Sequence, residues 1–291
     1  MPDLPNRAPA LVLAALAAVV LGGAALGASR GPEDRVATEV RAHLDAGRSE
    51  AHVIVRRAGD ARPGPVLAAI AGSPGTRLFP RLGMLAATVT AGEIERLAEE
   101  PGVEGISLDH ELHALGRAAA ENRLPRRDAR GSGPRVRGRA AVALLDSGVD
   151  PKRAPGVSVS AGFVPGEDAD DAHGHGSTLA SLIASESPGT RIVSLKILDA
   201  RGRGRVSSAL AAMEWLLENG ERHDVRVATL AFARADGGAC VDDPLCHGAG
   251  VLRGAGILVV AAASPARAGG LASPGRASAV LAVGAADDRG T

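Results

Sequence analysis

Apolar and polar positions divide the chain into stretches with different periods. Residues 8–28, APALVLAALAAVVLGGAALGA, are uncharged and close on small residues, the pattern of a secretory signal cleaved near positions 27–29. The 21-residue run is also long enough to span a bilayer, so an uncleaved membrane anchor is the alternative. From residue 50 the period changes. Alternation in AHVIVRR (51–57) predicts a strand, and PVLAAIAG (65–72) a short helix with Pro65 in its first turn. TRLFPRL and MLAATVT (76–82 and 84–90) predict a strand pair turning at Gly83, the first confined to an edge or a bulge because Pro80 has no amide hydrogen. Thr90 and Glu93 have capping-box spacing, so AGEIERLAEE (91–100) predicts a helix with Ile94 and Leu97 inward, stopped by Pro101-Gly102. VEGISLD (103–109) completes a β-α-β-β-α-β order. Over residues 50–113 that order predicts a small α+β unit of the ferredoxin-like type, distinct from the rest of the chain.

Residues 114–137 are rich in Arg, contain two Pro and keep no apolar period; they read as an exposed basic connector that includes the dibasic pair Arg126 and Arg127. Beyond it the apolar runs become continuous. AAVALLDSGVD (140–150) predicts a strand buried on both faces of a parallel sheet, with Asp146 at its carboxyl end. GHGSTLASLIAS (174–185) predicts a glycine-flanked turn into a helix, with His175 just before the first turn and Leu179, Leu182 and Ile183 inward. ILVVAAAS (257–264) and AVLAVGAA (279–286) predict two further buried strands. Strands alternating with helices argue for an α/β fold with a parallel sheet.

Composition narrows the function classes. Lys+Arg and Asp+Glu are equal at 33 each, so no global field attracts nucleic acid. Aromatic residues make up 1% of the chain, which removes the stacking platforms that nucleic acids use. In an exported protein Cys240 and Cys246, six residues apart in CVDDPLC, read as a short disulfide loop. The pair His173 and His175 beside the acidic run EDADDAH (167–173) reads as a solvated loop and not as a metal site.

Asp146 and His175 are the candidate chemistry. A histidine used for proton transfer needs a carboxylate to fix its tautomer and stabilise its charged form, and a buried Asp146 would supply both. Asp146-Ser147-Gly148 followed by Gly174-His175-Gly176-Ser177 resembles the aspartate and histidine motifs of the subtilisin-like serine proteases, with Ser177 in place of the usual threonine. FPRLGMLAATVTAGEIERLAEEPGVEGISLDHEL (79–112) resembles the propeptide of the same family. The resemblance implies a signal (1–28), an inhibitory propeptide (50–113), a linker and a catalytic domain from residue 138 to residue 291. It further implies a protein or peptide substrate, the chain's own propeptide as intramolecular inhibitor, and extracellular localisation. Calcium occurs in the family, but no residues here match a site, and no other cofactor is implied.

The pattern then departs. The family's nucleophile lies in Gly-Thr-Ser, which occurs nowhere in the 291 residues; Ser207 and Ser208 open a helix that aligns elsewhere. Where the family has Ala-Gly-Asn, with the oxyanion-binding Asn, the chain has Ala263-Ser264-Pro265, and the substrate-pairing strand reads Thr229-Leu230-Ala231-Phe232-Ala233 without its final glycine. Two explanations are open: an incomplete copy of a longer protease, or a noncatalytic relative that binds extended peptides. A chain without the family's central serine-bearing helix would leave apolar strands exposed, so an incomplete sequence is the expectation.

Overall fold

The computed structural model describes residues 31–59, 61–115, 140–234, 239–266 and 270–285. The expected signal, and the connector from residue 116 on with Arg126 and Arg127, lie outside the described residues. Among the described residues no helix is long and apolar enough to cross a membrane.

Two short helices that the periodicity does not reveal, α1 (Pro32–Arg35) and α2 (Thr38–Asp45), precede the first strand, with Val40 their one fully buried residue. Then come β1 (Glu50–Arg57), α3 (Pro65–Ala71), β2 (Arg77–Phe79), β3 (Met84–Thr90), α4 (Ala91–Glu99) and β4 (Val103–Leu108). Their antiparallel sheet has the order β2-β3-β1-β4, the ferredoxin-like arrangement. Pro80 ends β2 after three residues and β2 is an edge strand. The capping box forms: Glu93 N donates to Thr90 Oγ1 and Thr90 N donates to Glu93 Oε2 at 2.8 Å.

The described residues from 32 on group as one compact unit, so this sheet is packed on the rest of the chain. The cause is the period-2 alternation of its strands. Val53, Val55, Leu85 and Val89 point to α3 and α4, whereas Ile54, Met84 and Ala86 point the other way and join the core of the larger domain. A sheet with two apolar faces and helices on one of them must bury the other elsewhere.

That larger domain is a six-stranded sheet of β6 (Ala141–Asp146), β7 (Val157–Gly162), β8 (Arg191–Lys196), β10 (Val225–Leu230), β12 (Leu258–Ala262) and β13 (Val280–Val283). Its order is β13-β12-β10-β6-β8-β7 and its pairs are parallel. Helices α5 (His175–Glu186), α6 (Val206–Asn219) and α7 (Pro244–Gly254) flank it, giving an α/β subtilisin-like architecture. Two expectations are corrected. In α5 the fully buried apolar residue is Ala180; Leu179 and Ile183 pack beside it only partly buried, and Leu182 is outside that cluster. Strand β13 is half-exposed instead of buried, with Leu281 53% and Val283 52% accessible, because it is an edge strand with one open face among the described residues.

A third sheet joins the two parts. β5 (Glu111–Ala114) lies between β11 (Phe232–Arg234) and β9 (Arg203–Arg205), antiparallel to both. Carboxylates reinforce the junction from each side. Asp109 accepts from Ser207 N (2.8 Å) and Ser207 Oγ (2.7 Å) at the start of α6, and Glu214 of α6 accepts from the amides of Arg81 (2.9 Å) and Leu82 (3.1 Å).

Candidate active site

Strand β6 is apolar and buried until its last residue, Asp146, which is wholly buried at the carboxyl end of the sheet. Its neighbours β8 and β10 lie on opposite sides, so Asp146 stands where the strand order reverses, the usual place for ligands in an open parallel sheet. His175 is the first residue of α5, one position later than the sequence suggests. The preceding Gly174 is left-handed (φ 91°), which turns the chain into the helix with the ring facing the strand end. Gly176 permits the approach: a Cβ there would overlap the Gly148 carbonyl oxygen and lie 3.3 Å from Asp146 Cβ.

His175 Nδ1 donates to Asp146, 2.9 Å from each carboxylate oxygen, and Asp146 Oδ1 also accepts from Ser147 N at 2.7 Å. The other ring nitrogen is occupied as well: His175 Nε2 lies 2.8 Å from the carbonyl oxygen of Leu115. A carbonyl can only accept and a carboxylate does so as well, so this geometry favours a ring with protons on both nitrogens. Burial opposes that charge. The hydrogen bond and charge of Asp146, then the Leu115 carbonyl and the charge of Asp171, outweigh it, and the pKa is raised from the ordinary 6.5.

Leu115 is delivered by β5. Phe232 pairs with Ala114, Ala233 with His113 and Arg234 with Leu112, while Leu115 N donates to Ala231 O (3.1 Å) and Ala114 N to Gly202 O (2.8 Å). Ala231, Phe232 and Ala233, expected to pair with a substrate, thus border a segment of the chain itself. Leu112 is wholly buried in the core with Phe232, and Leu115 packs on Ala233, Ala266 and Ala272. The apolar period alone places residue 114 onward in a connector. Pairing through main-chain groups leaves little trace in side chains, and only Leu112 marks this strand.

The remaining candidates are engaged in other contacts. Pro265 is exposed and bridged to Leu271, and it brings no N–H to its turn. Ser207 is tied to Asp109 and Ser208 Oγ donates to Phe163 O at 3.0 Å. Cys240 and Cys246 are joined, with Cα atoms 5.5 Å apart, tying the loop before α7 to the first turn of that helix. Among the described residues no group of three or more His, Cys, Asp or Glu side chains could hold a metal ion, and in the acidic run Glu167 pairs with Lys196 Nζ (3.0 Å) while Asp168 accepts from Asp170 N (3.0 Å). His173 lies with its ring 6.2 Å from that of His175. One residue beside the pair is missed by the sequence pattern: Asp171, which reads as part of a solvated loop, accepts from Gly174 N (2.7 Å) at the start of α5. The signal available is that Gly174, as N-cap, has no side chain to serve that turn.

The model of the Subtilase family matches residues 138–291. The chain is 28% identical over 230 residues to an "Alkaline protease" of Alkalihalobacillus alcalophilus, covering 72% of the chain and 56% of that protein. Similarity to "M-protease" of Shouchella clausii (strain KSM-K16) has the same identity and coverage. "Subtilisin Savinase" of Lederbergia lenta is 32% identical over 156 residues, covering 50% of the chain and 55% of that protein. The chain therefore spans a little over half the length of the curated relatives it matches.

Proposed function

The chain belongs to the subtilase family, and from that premise we propose that the whole protein is a secreted serine endopeptidase made as a precursor, with residues 32–115 as its intramolecular inhibitor. The observation that carries this reading is the strand laid between β9 and β11 with its Leu115 carbonyl on His175. An extended segment that completes a sheet and brings a carbonyl to the base is held as a substrate would be. Similarity to the alkaline proteases supports it further, since 72% of the chain is more than residues 138–291 alone can account for.

In this mechanism Asp146 holds the ring of His175 and stabilises its charged form. Neutral His175 takes the proton from a serine hydroxyl as that oxygen attacks the substrate carbonyl, then returns it to the leaving amine. While Leu115 sits on Nε2 the ring is already protonated and cannot act as a base. The serine of this mechanism is that of the family's Gly-Thr-Ser, which does not occur in these 291 residues. The seated Leu112 and Leu115 point to substrates with apolar side chains at those two positions. Pro265 favours a second reading, a noncatalytic peptide binder, because loss of one oxyanion donor costs roughly 10²–10³ in rate, a magnitude established for a subtilisin itself.

Fluorogenic peptide turnover separates the two. The 291-residue chain is expected to be no faster than its His175→Ala variant, whereas a longer form carrying a Gly-Thr-Ser segment should cleave and lose a factor on the order of 10⁶ with the same substitution, the magnitude established for the histidine of a subtilisin. Peptide binding without cleavage by the longer form would establish the second reading instead.

A further inference from the structure

Helix α5 starts without a capping side chain, because its N-cap is Gly174. The free amides of its first turn need acceptors from elsewhere. Asp171 supplies two of them: Oδ1 accepts from Gly174 N (2.7 Å) and Oδ2 from Ser177 N (2.9 Å). The same carboxylate reaches across to the strand that carries Asp146. Oδ1 accepts from Ser147 Oγ (2.8 Å), which itself accepts from Gly176 N (3.0 Å). Oδ2 accepts from the Ser177 hydroxyl, whose oxygen accepts from Asp150 N (2.9 Å). The residues on either side of His175, and the residue after Asp146, therefore converge on one acidic group.

We propose that Asp171 is a positioning residue that clamps the first turn of α5 to the end of β6 and so sets the geometry of His175 against Asp146. This rests on the reading of Asp146 and His175 as the acid–base pair. Four donors meet two oxygens, which only a carboxylate can satisfy; an asparagine would turn an NH₂ toward two of them and leave them unpaired. Its negative charge also suits a helix N-terminus and favours the charged form of His175. Asp171 stays ionised wherever a histidine titrates: burial pushes its pKa up, but the hydrogen bonds from Ser177, Gly174 and Ser147 outweigh that and lower it. The titratable groups facing His175 are Asp146 from β6, and Asp171 and His173 from the preceding loop; the β5 side presents the Leu115 carbonyl.

The test is the NMR titration of the His175 ring in the full chain, assigned by loss of its signal in His175→Ala. Asp171→Asn should titrate at lower pH than wild type, with faster exchange of the Nδ1 proton shared with Asp146, and Asp146→Asn should also titrate lower. An unchanged His175 titration in Asp171→Asn, with Asp146→Asn lowered, overturns the proposal even if the variant melts earlier, since a purely structural cap would do no more than that. If Asp146→Asn also leaves the titration unchanged, the acid–base pair itself is wrong. Should Asp171→Asn fail to fold, Ser147→Ala and Ser177→Ala each remove one arm of the clamp; a lowered titration in either supports the proposal, and no change in both overturns it.

Discussion

Leu112→Ala is expected to lower the unfolding free energy of the chain by about 2–5 kcal/mol, the cost of emptying a well-packed leucine site. Leu112 has no exposed surface and lies in the core shared with Phe232. The loss should fall on β5 in particular. That strand is four residues long and is held by main-chain bonds to two three-residue strands, so its buried side chain is what resists peeling. Urea unfolding measures the total, and limited proteolysis around residues 111–115 reads the local part. Leu112→Met, which conserves volume, should cost under about 1.5 kcal/mol. A Leu112→Ala variant as stable and as resistant as wild type would mean that β5 is not seated as described.

Stability should also pass through a window of pH bounded by two histidines acting in opposite senses. The pKa of His175 is raised above its ordinary 6.5, so its contribution is complete below about pH 6.5 and is lost as pH rises through the raised value. Deprotonation removes the Nε2 proton from the Leu115 contact, and β5 loosens on the alkaline side. His247, in α7, has its Nε2 3.2 Å from Leu82 O on the β2–β3 turn. Burial, and then the charge of Arg56, lower its pKa against the weaker pull of the Leu82 carbonyl and Glu104. Its contribution is therefore complete above about pH 6.5 and is lost as pH falls through the lowered value. The lowered carboxylates Glu39 and Asp171 fail only in more acid solution. Urea midpoints across pH should show both limbs. His175→Ala should flatten the alkaline limb and His247→Gln the acid one; a limb that survives its own substitution contradicts the assignment.

Much of this arrangement is legible in the sequence where one local rule acts alone. The apolar run ending in Asp146 gives a strand and a buried carboxylate, and Thr90 with Glu93 gives a capping box, because both patterns are set within a few residues. His175 can be matched to Asp146 only through the family resemblance; nothing in the 29-residue separation fixes their approach. What escapes depends on tertiary contacts. VSVSAG (157–162) alternates as an edge strand should, but it lacks the continuous apolar run that marks β6, β12 and β13 in this sheet. Strand β5 pairs through its backbone, and Asp171 looks like one acid among several until the helix it caps is in place. The open face of β13 cannot be read from AVLAVGAA, since a buried strand and a half-covered one share the same apolar run.

The central claim is that the cleft beside Asp146 and His175 is filled by the chain's own residues 111–115. Hydrogen–deuterium exchange of the Ala114 and Leu115 amides tests it most directly, because these donate to Gly202 O and Ala231 O at the two walls of the cleft. The account predicts protection comparable to that of the interior of β1 at about pH 6, declining toward alkaline pH beyond the intrinsic rate change. Exchange at the rate of an unstructured peptide would show that the segment is a free connector and that the cleft is open.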